Sequence, residues 1–340
     1  MSLFSLTQEL SMDLGTANTI IMYNDKIVVN EPSIVAFNRK TDKMIAVGTK
    51  AKMMYEKSND DIKVVRPLRD GVIADFNACE QMIRGLIAMV DHGHRLFTPS
   101  YKMVIGVPSG STEVELRAVR DSAEHAGGRE VYLLYEPMAA AIGIGLDVEA
   151  PVGNMVVDIG GGSTEIAVIS LGGIVMNSSI RIAGDDFTQD IQEYMGRQHN
   201  VKVSERMAER IKINVGSALT ELGEDAPEDY LVYGPNKITA LPMQVPICYQ
   251  EIAHCLDRSI AKIESAVLTA LEGTPPELYA DIVHNGIYLS GGGALLRGLA
   301  KRLTDKINIP FHIAEEPLLS VAKGTGKALK GVDHYTALMK

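Results

Sequence analysis

The sequence is short of several features that would mark particular classes of protein. It has three cysteines and no tryptophan among 340 residues. Cys79, Cys248 and Cys255 have neither the spacing of a metal site nor the even number of a disulfide framework, so reduced thiols in a cytosol are expected. No uninterrupted apolar run reaches the roughly 18 residues of a membrane-spanning helix. Residues 1–10 lack the basic start of a secretory signal.

Positive charge is also scarce. Lys and Arg together number 33 against 43 Asp and Glu, which gives a formal net charge of −10. Binding to nucleic acid requires a basic face that neutralises phosphates, and no Lys/Arg cluster is present, so no nucleic-acid partner is expected. For the same reason, any attachment to an anionic membrane surface would have to be hydrophobic.

Two segments of the chain repeat one pattern. Residues 12–28 (MDLGTANTIIMYNDKIV) and 157–175 (VDIGGGSTEIAVISLGGIV) each place an Asp between apolar residues, followed by a glycine-containing turn and a β-branched run. Each segment predicts a small antiparallel meander with a tight first turn. Helix and strand patterns alternate after both copies, which predicts two related α/β domains that face each other across a cleft.

Individual elements are predicted from periodicity and capping signals. Thr112 and Glu115 form a capping box that opens a helix ending at Gly127 and Gly128. Apolar spacing predicts another helix at 81–90, and Pro137 suits the start of a helix at 138–144. Strands are expected at 101–107, 131–135 and 286–290, and helices in the second half at 185–197, 204–219, 250–272, 294–305 and 320–330.

The first glycine turn could bind an anion. Gly15 lets the backbone approach a ligand closely, and Thr16, Ala17 and Asn18 offer N–H donors. Asp13, at the end of the preceding strand, could hold a hydrated magnesium ion. An ordinary hairpin, in which the Asp caps its own turn, explains this segment equally well.

The second turn carries a stronger signal because it has three consecutive glycines, Gly160, Gly161 and Gly162. Glycines inside a strand pair cost conformational entropy and bury no side chain, whereas a backbone wrapped around phosphates requires them. Asp158 is placed like Asp13, so two carboxylates from opposite domains could share one magnesium nucleotide. The sequence has neither GxxxxGK[ST] nor a strand–GxGxxG–helix unit.

The remaining candidates are ambiguous from pattern alone. Residues 291–294 would suit a nucleotide edge at a helix start, or simply form a tight turn. Residues 184–185 would equally serve as a helix N-cap. Glu209 and Lys212 share one helix face, which is typical of a surface ion pair. Glu136 stands at a helix start, where the dipole stabilises any carboxylate.

Taken together, these motifs resemble the actin/sugar-kinase/heat-shock-chaperone ATPase superfamily and, within it, the MreB family of bacterial actins. Further segments that match this family, in order along the chain, are 30–33, 70–75, 182–185 and 275–278. The resemblance implies an α/β actin-like ATPase fold with domains at 1–146 and 147–340. It also implies one small subdomain in each domain, at about 31–75 and 184–255.

The resemblance also assigns roles within the cleft, with ATP (or else GTP) and Mg²⁺ as ligands. It implies that Glu136 positions the attacking water with help from Thr164, and that Asp13 and Asp158 organise magnesium. The implied nucleotide contacts are Thr16, Ala17, Asn18, Gly160, Gly161, Gly162, Gly184, Asp185, Glu209, Arg210, Ile211, Lys212, Gly291, Gly292, Gly293 and Ala294.

The function implied is that of a slow ATPase whose nucleotide state controls assembly into paired protofilaments. In this family, filaments lie in the cytoplasm on the inner face of the cell membrane and organise wall synthesis for rod shape, together with cell-shape and wall-synthesis membrane proteins. Leu96 and Phe97 resemble the family's membrane-inserting loop, although a loop tucked into its own domain is the alternative interpretation. The alternative function is a small-molecule kinase on the same fold.

Overall fold

The computed structural model describes residues 7–90 and 100–340. The strands are β1 Thr7–Leu14, β2 Asn18–Tyr23, β3 Lys26–Pro32, β4 Val35–Asn38, β5 Met44–Val47, β6 Ile62–Val65, β7 Leu68–Arg69, β8 Val72–Ile73, β9 Ser100–Val107, β10 Gly128–Tyr135, β11 Asn154–Ile159, β12 Thr164–Ser170, β13 Gly173–Ile180, β14 Tyr230–Pro235, β15 Pro242–Ile247, β16 Ile287–Ser290 and β17 Phe311–Ile313. The helices are α1 Thr49–Met54, α2 Phe76–Ile87, α3 Glu113–His125, α4 Glu136–Ile144, α5 Gly184–Gln198, α6 Glu205–Val215, α7 Tyr249–Glu272, α8 Pro276–Asn285, α9 Leu299–Ile307 and α10 Ser320–Lys330. Short 3₁₀ turns lie at Gly223–Asp225, Gly292–Leu295 and Pro317–Leu319.

Two large sheets of the same design organise these elements. The first sheet has the order β10-β9-β1-β2-β3, and the second has the order β13-β12-β11-β16-β17. In each sheet an antiparallel meander is extended by two parallel strands. The predicted pair of meanders and the α/β class are therefore confirmed.

Smaller sheets are inserted in both halves of the chain. The strands β4, β5 and β6 form one of them, with the order β5-β4-β6, and we call it the small first-half sheet. The strands β14 and β15 form an antiparallel hairpin in the second half, and β7 and β8 form a short hairpin in the first. The limits of the two domains and their subdomains stay a prediction.

A separate core lies between the two large sheets. It is built from α4 and α10, together with Val104 and Leu134 of the first sheet and Val156 and Ala167 of the second. All four of these strand residues are fully buried. Burial of both sheets against one helix pair means that the two halves share a hydrophobic core and cannot separate there without exposing it to water.

The helices α4 and α10 cross with their backbones in contact. A Cβ atom at Gly324 would lie 1.7 Å from the carbonyl oxygen of Ala139, and one at Gly143 would lie 1.8 Å from that of Ser320. Lys327 donates from Nζ to the carbonyl oxygen of Ile142 at 2.9 Å, which satisfies the C-terminal end of α4. Glycine is therefore required at this crossing on steric grounds.

Several boundaries differ from those predicted, each for a local reason. The helix α2 begins at Phe76, earlier than expected, because the Asp75 side chain accepts from the N–H of Ala78 at 3.0 Å and caps it. The helix expected at 294–305 is divided into a 3₁₀ turn and α9, because Gly298 between them has a φ of 74°. The hairpin of β14 and β15 and the helix α8 were not predicted.

The helix crossing predicts a large effect for a small substitution. Gly324→Ala should lower the free energy of unfolding by about 1–3 kcal/mol, because the added methyl group overpacks a backbone contact. An alanine would otherwise favour a helix interior by about 1 kcal/mol, so the sign of the change tests the crossing itself. Urea unfolding followed by circular dichroism measures it.

Gly196→Ala in α5 is the matched control. The nearest atom to its added Cβ would be Nζ of Lys237, at 2.9 Å, which is the mobile end of a side chain. Stability should stay the same or rise. If Gly324→Ala is as stable as Gly196→Ala, the tight crossing of α4 and α10 is incorrect.

Candidate functional site

The two glycine turns approach each other across the space between the large sheets. An alanine at position 161 would place its Cβ atom 2.7 Å from the Cβ of Ala17. One at position 162 would lie 2.9 Å from Cγ2 of Thr16. These separations are too short for side chains, so glycine is what allows the turns to meet. Ala17 and Asn18 remain exposed on the first turn.

The hairpin of β7 and β8 also packs against the second turn. Its tip residues, Asp70 and Gly71, have φ values of 52° and 74°. A Cβ atom at Gly71 would lie 2.8 Å from Oγ of Ser163, and one at Gly162 would lie 2.8 Å from the backbone nitrogen of Asp70. Two parts of the first half of the chain, the first glycine turn and the tip of the β7–β8 hairpin, therefore pack against the second turn.

Residues 184 and 185 hold the second turn from its own half. The N–H of Gly184 donates to the carbonyl oxygen of Gly160 at 3.1 Å, and that of Asp185 donates to Gly161 at 2.7 Å. The carbonyl oxygen of Gly184 in turn accepts from Nζ of Lys212 at 2.8 Å. These two N–H groups are therefore occupied within the protein, and their visible role is to position the turn.

The helix α6 brings Glu209 and Lys212 to the same place. Nζ of Lys212 lies 2.7 Å from Oε2 of Glu209, and the hydroxyl of Thr188 donates to the same carboxylate at 2.6 Å. Burial would raise the pKa of Glu209, but Lys212 and Thr188 outweigh it and lower the pKa. Glu209 is therefore held as a carboxylate beside the second turn.

The two middle residues of this segment, whose nucleotide contacts stay a prediction, lie in different surroundings. Ile211 is completely buried in the hydrophobic core of the second half, so its side chain anchors α6 and does not face a ligand. Arg210 lies on the exposed side of the helix. A helix turns by about 100° per residue, so four consecutive residues cannot share one face.

The third glycine cluster packs against the end of β11. A Cβ atom at Gly291 would lie 2.3 Å from the carbonyl oxygen of Ile159, and one at Gly293 would lie 2.2 Å from Cγ2 of the same residue. Ala294 is fully buried and Gly292 is exposed. The ligand contacts of this cluster stay a prediction, in which the side chain of Ala294 is enclosed by the protein and Gly292 keeps an open surface.

Four carboxylates converge where the two meanders meet α4. Asp13 is the last residue but one of β1, and Glu136 begins α4. Asp158 and Glu165 lie opposite each other in the register of β11 and β12. Burial and, to a smaller extent, the charge of Asp158 together raise the pKa of Asp13 to about 7. Burial, Asp13, Glu165 and Asp158 together hold the pKa of Glu136 well above its usual range.

Hydroxyl groups stabilise part of this cluster. The hydroxyl of Ser290 donates to Oδ1 of Asp158 at 2.5 Å, which partly offsets the effect of burial on that carboxyl, whose pKa is about 6. The hydroxyl of Ser179 donates to Oε1 of Glu165 at 2.7 Å, and Ser109 donates to Oε2. Without a cation, four acidic groups in one buried place repel one another.

Thr164, whose role in helping to position water stays a prediction, is enclosed by the protein. Its side chain has no exposed surface, and its hydroxyl donates to the carbonyl oxygen of Ile182 at 2.7 Å. The hydroxyl proton is thus engaged with the backbone before the α5 helix. In this structure Thr164 stabilises the strand and does not offer a free proton to a water molecule.

Comparison with known proteins places the chain in a family. The MreB/Mbl protein family model matches residues 7–337. The cell shape-determining protein MreB of Escherichia coli K12 is 46% identical over 334 residues, covering 97% of this chain and 95% of that protein. The cell shape-determining protein Mbl of Bacillus cereus is 43% identical, covering 96% of this chain and 97% of that protein. This chain belongs to the MreB/Mbl family.

A solved relative has the same fold. The crystal structure of MreB5 of Spiroplasma citri bound to AMPPNP superposes with a TM-score of 0.89 at 36% identity, covering 96% of this chain and 97% of that chain. The expectation of an actin-like fold of the MreB type is therefore confirmed. The alternative of a small-molecule kinase receives no support from these relatives.

Two residues in and around the carboxylate cluster of this MreB/Mbl protein, Glu165 and Ser290, were not predicted as site residues, for different reasons. Glu165 could have been found, because a turn centred on Gly161 and Gly162 places it directly opposite Asp158. Ser290 could not, because it reaches Asp158 through the parallel register of β11 and β16, whose bonded residues are 132 positions apart. Sequence separation of this size leaves no local signal.

The raised pKa of Asp13 predicts how the nucleotide-free protein responds to pH. In the unfolded chain this carboxyl has an ordinary pKa of about 3.9. In the folded protein its pKa is about 7, so the folded state binds the proton more tightly. This carboxyl therefore lowers stability increasingly as the pH rises from about 4 to about 7. In EDTA, Asp13→Asn should raise the free energy of unfolding at pH 8 by on the order of 2–4 kcal/mol, and by less at pH 5.

Partial exposure of Asp13 places the effect toward the lower end of that range. Asp225→Asn, on an exposed 3₁₀ turn, is the control and should change stability little at either pH. A stabilisation by Asp13→Asn that is equal at pH 5 and pH 8 would show that the carboxylate cluster is not the cause.

Proposed function

We propose that this MreB/Mbl protein binds ATP between the two large sheets and uses its hydrolysis to control assembly into filaments. The observation that carries the proposal is the meeting of the two glycine turns, from the two repeats, directly above buried carboxylates. Backbone N–H groups in such turns bind phosphate oxygens. The MreB5 relative, solved with AMPPNP, matches nearly the whole chain.

The two ends of the nucleotide would meet different parts of the cleft. Thr16, Ala17 and Asn18 on one side and Gly160 and Gly161 on the other would hold the phosphates. Glu209 and Lys212, which are already fixed to each other and to Thr188, would face the ribose and base, with Gly292 completing that side. Their fixed charges would orient a polar ligand without first reorganising.

The residues present fit a magnesium ion. Asp158 is buried and Asp13 is partly exposed, and the charge of Asp158 contributes to the raised pKa of Asp13. A divalent cation between the two carboxylates would relieve their repulsion. Magnesium prefers one or two carboxylates together with water and phosphate oxygens. When bound, it would neutralise charge on the phosphate groups. Among residues 7–90 and 100–340 no group of three or more His, Cys, Asp or Glu is arranged to enclose a metal by itself.

Glu136 is the residue best placed to act on water. It begins α4, and the backbone contact with α10 fixes that helix, so its carboxylate has a defined position beside Asp13 and Asp158. A carboxylate whose pKa is raised is a stronger base, so it can hold a water molecule and accept its proton. Thr164 would support this geometry from the strand through its bond to Ile182.

Filament formation connects this chemistry to a cellular role. This chain aligns with nearly the whole length of the relatives that are named cell shape-determining proteins. We infer that nucleotide-dependent filaments of this chain, as paired protofilaments, organise wall synthesis and maintain rod shape from the cytoplasmic face of the membrane. Partners would be further copies of the chain and membrane proteins of cell shape and wall synthesis.

Removal of the Glu136 carboxylate should separate nucleotide binding from hydrolysis. Glu136→Gln keeps the size of the side chain but cannot accept a proton, and such roles contribute about 10²–10⁴ in rate. We expect phosphate release to fall within that range, ATP affinity to change little and ATP filaments to persist longer. Sedimentation with ATP, ADP or no nucleotide, with phosphate release followed in the same tube, measures all three.

Glu221→Gln, an exposed position, is the control and should behave like wild type. If Glu136→Gln hydrolyses ATP at the wild-type rate, the carboxylate of Glu136 has no role in hydrolysis and is only an acidic group at the start of α4. Wild-type protein that neither binds ATP nor sediments with it would refute the proposed function itself.

Membrane binding is proposed from sequence alone. Leu96 and Phe97 lie outside the described residues. Within residues 7–90 and 100–340, no helix has the length and apolar character needed to cross a membrane. Insertion of two bulky apolar side chains would contribute roughly 3–6 kcal/mol before losses on immobilisation, which is marginal for one copy. A filament presents the pair repeatedly, so attachment should depend on assembly.

Liposome flotation tests this attachment. Leu96→Ser/Phe97→Ser should still assemble with ATP but lose flotation, and wild-type flotation should resist salt because the contact is hydrophobic and the chain acidic. Sedimentation of the double variant checks that assembly is intact. If the double variant assembles and floats as well as wild type, Leu96 and Phe97 are not the membrane anchor.

A further inference from the structure

A polar cluster joins two parts of the chain that are distant in sequence. Tyr55 follows α1 and Arg66 follows β6, so both flank the small first-half sheet, whereas Glu205 is the first residue of α6. The hydroxyl of Tyr55 donates to Oε2 of Glu205 at 3.1 Å, and Arg66 forms an ion pair with Oε1 of the same carboxylate. We call Tyr55, Glu56, Arg66, Asp185 and Glu205 the clasp.

Further contacts make the clasp more than a single ion pair. Nη1 of Arg66 lies 4.0 Å from Oδ2 of Asp185, and its guanidinium carbon lies 5.3 Å from the ring centroid of Tyr55. The backbone N–H of Glu205 donates to Oε1 of Glu56 at 3.2 Å. Arg66 therefore engages two carboxylates and an aromatic face together, which fixes its planar group in one orientation.

The clasp is partly shielded from water. The side chains of Arg66 and Glu205 are 29% and 31% exposed, whereas the ion pair of Arg197 and Glu193 within α5 is 74% and 46% exposed. Burial would lower the pKa of Arg66, but Glu205 and Asp185 outweigh it and raise the pKa. A charge-assisted bond that is partly desolvated is stronger than an exposed pair.

Both second-half members of the clasp border the proposed nucleotide site. Asp185 donates its backbone N–H to Gly161 of the second glycine turn at 2.7 Å. Glu205 begins α6, the helix that carries Glu209 and Lys212. The small first-half sheet is thus tied to the two elements of the second half that would surround a bound nucleotide. Separation of the halves on this side requires the clasp to break.

We propose that the clasp gates nucleotide exchange: a nucleotide leaves the cleft only after Arg66 and Tyr55 release Glu205. This inference rests on the proposed function, because only a nucleotide-binding cleft needs such a gate. The clasp members are positioning residues and do not take part in hydrolysis. Loss of the clasp should therefore change the residence time of the nucleotide more than the rate of the chemical step.

Arg66→Gln, Glu205→Gln and the double variant test the gate. The rate at which ATP carrying a fluorescent N-methylanthraniloyl group dissociates is measured by stopped flow, at protein concentrations below those that sediment. Each single variant should release the nucleotide about tenfold faster, as expected for a lost charge-assisted hydrogen bond. The acceleration in the double variant should be smaller than the product of the two single accelerations, because both single variants lose the same Arg66–Glu205 ion pair.

Matched variants control for effects on folding and charge. Arg197→Gln removes an Arg–Glu pair within one helix and should leave the release rate unchanged. Tyr55→Phe keeps the ring but removes the hydroxyl, so it should give a smaller acceleration and stays informative where a charged-residue variant folds poorly. Single-turnover phosphate release should match wild type in every clasp variant.

The outcomes separate the two proposals. Wild type that binds the labelled ATP, with release unchanged in Arg66→Gln, Glu205→Gln and Tyr55→Phe, overturns the gate and leaves the proposed function intact. Independent, multiplying accelerations in the double variant also overturn it, because the residues would then not act through each other. Wild type that fails to bind the nucleotide refutes the proposed function, and the gate with it.

Discussion

The backbone contact between α4 and α10 is the constraint on which the rest of the structure depends. At Ala139 and Gly324 the two helices approach more closely than any side chain would permit. This crossing lets one helix pair fill the space between the two large sheets, so Val104 and Val156 share a core. The turn before α10 also accepts the N–H of Gly291 at 2.9 Å through the Pro317 carbonyl. The third glycine cluster is thereby tied to the same helix pair that joins the two sheets.

The same rigidity explains why the carboxylates can be held in an unfavourable place. A buried acidic group normally moves toward water or takes up a proton. Glu136 cannot move without α4, and the register of the strands holds Asp158 opposite Glu165. The hydroxyl of Ser290 favours the charged form of Asp158, which partly offsets the effect of burial on its pKa of about 6. The folded core thus maintains an electrostatic repulsion that a bound cation would relieve.

Local patterns predicted the parts of the fold that local interactions determine. The meanders followed from alternation and glycine turns, and α3 followed from the reciprocal bonds of Thr112 and Glu115. The two glycine turns that meet in the structure were expected for the same reason. Features that were not predicted depend on packing: Ile211 faces the core because of how α6 docks, and α9 starts late because Gly298 adopts a positive φ. Register between distant strands, which places Ser290, is not encoded within any short window.

The two contacts that join the halves differ in physical kind, and this difference determines where the molecule can move. The crossing of α4 and α10 is apolar and close-packed, so opening it would expose a hydrophobic core to water. The clasp is polar, and water can replace its hydrogen bonds at modest cost, more readily as salt screens the ion pair. Motion should therefore pivot at the helix crossing and open at the clasp. Because Asp185 belongs to the clasp and is bonded to the second glycine turn, opening would also disturb the proposed phosphate site. On the proposed function, nucleotide occupancy and closure of the two halves would therefore be coupled through Asp185.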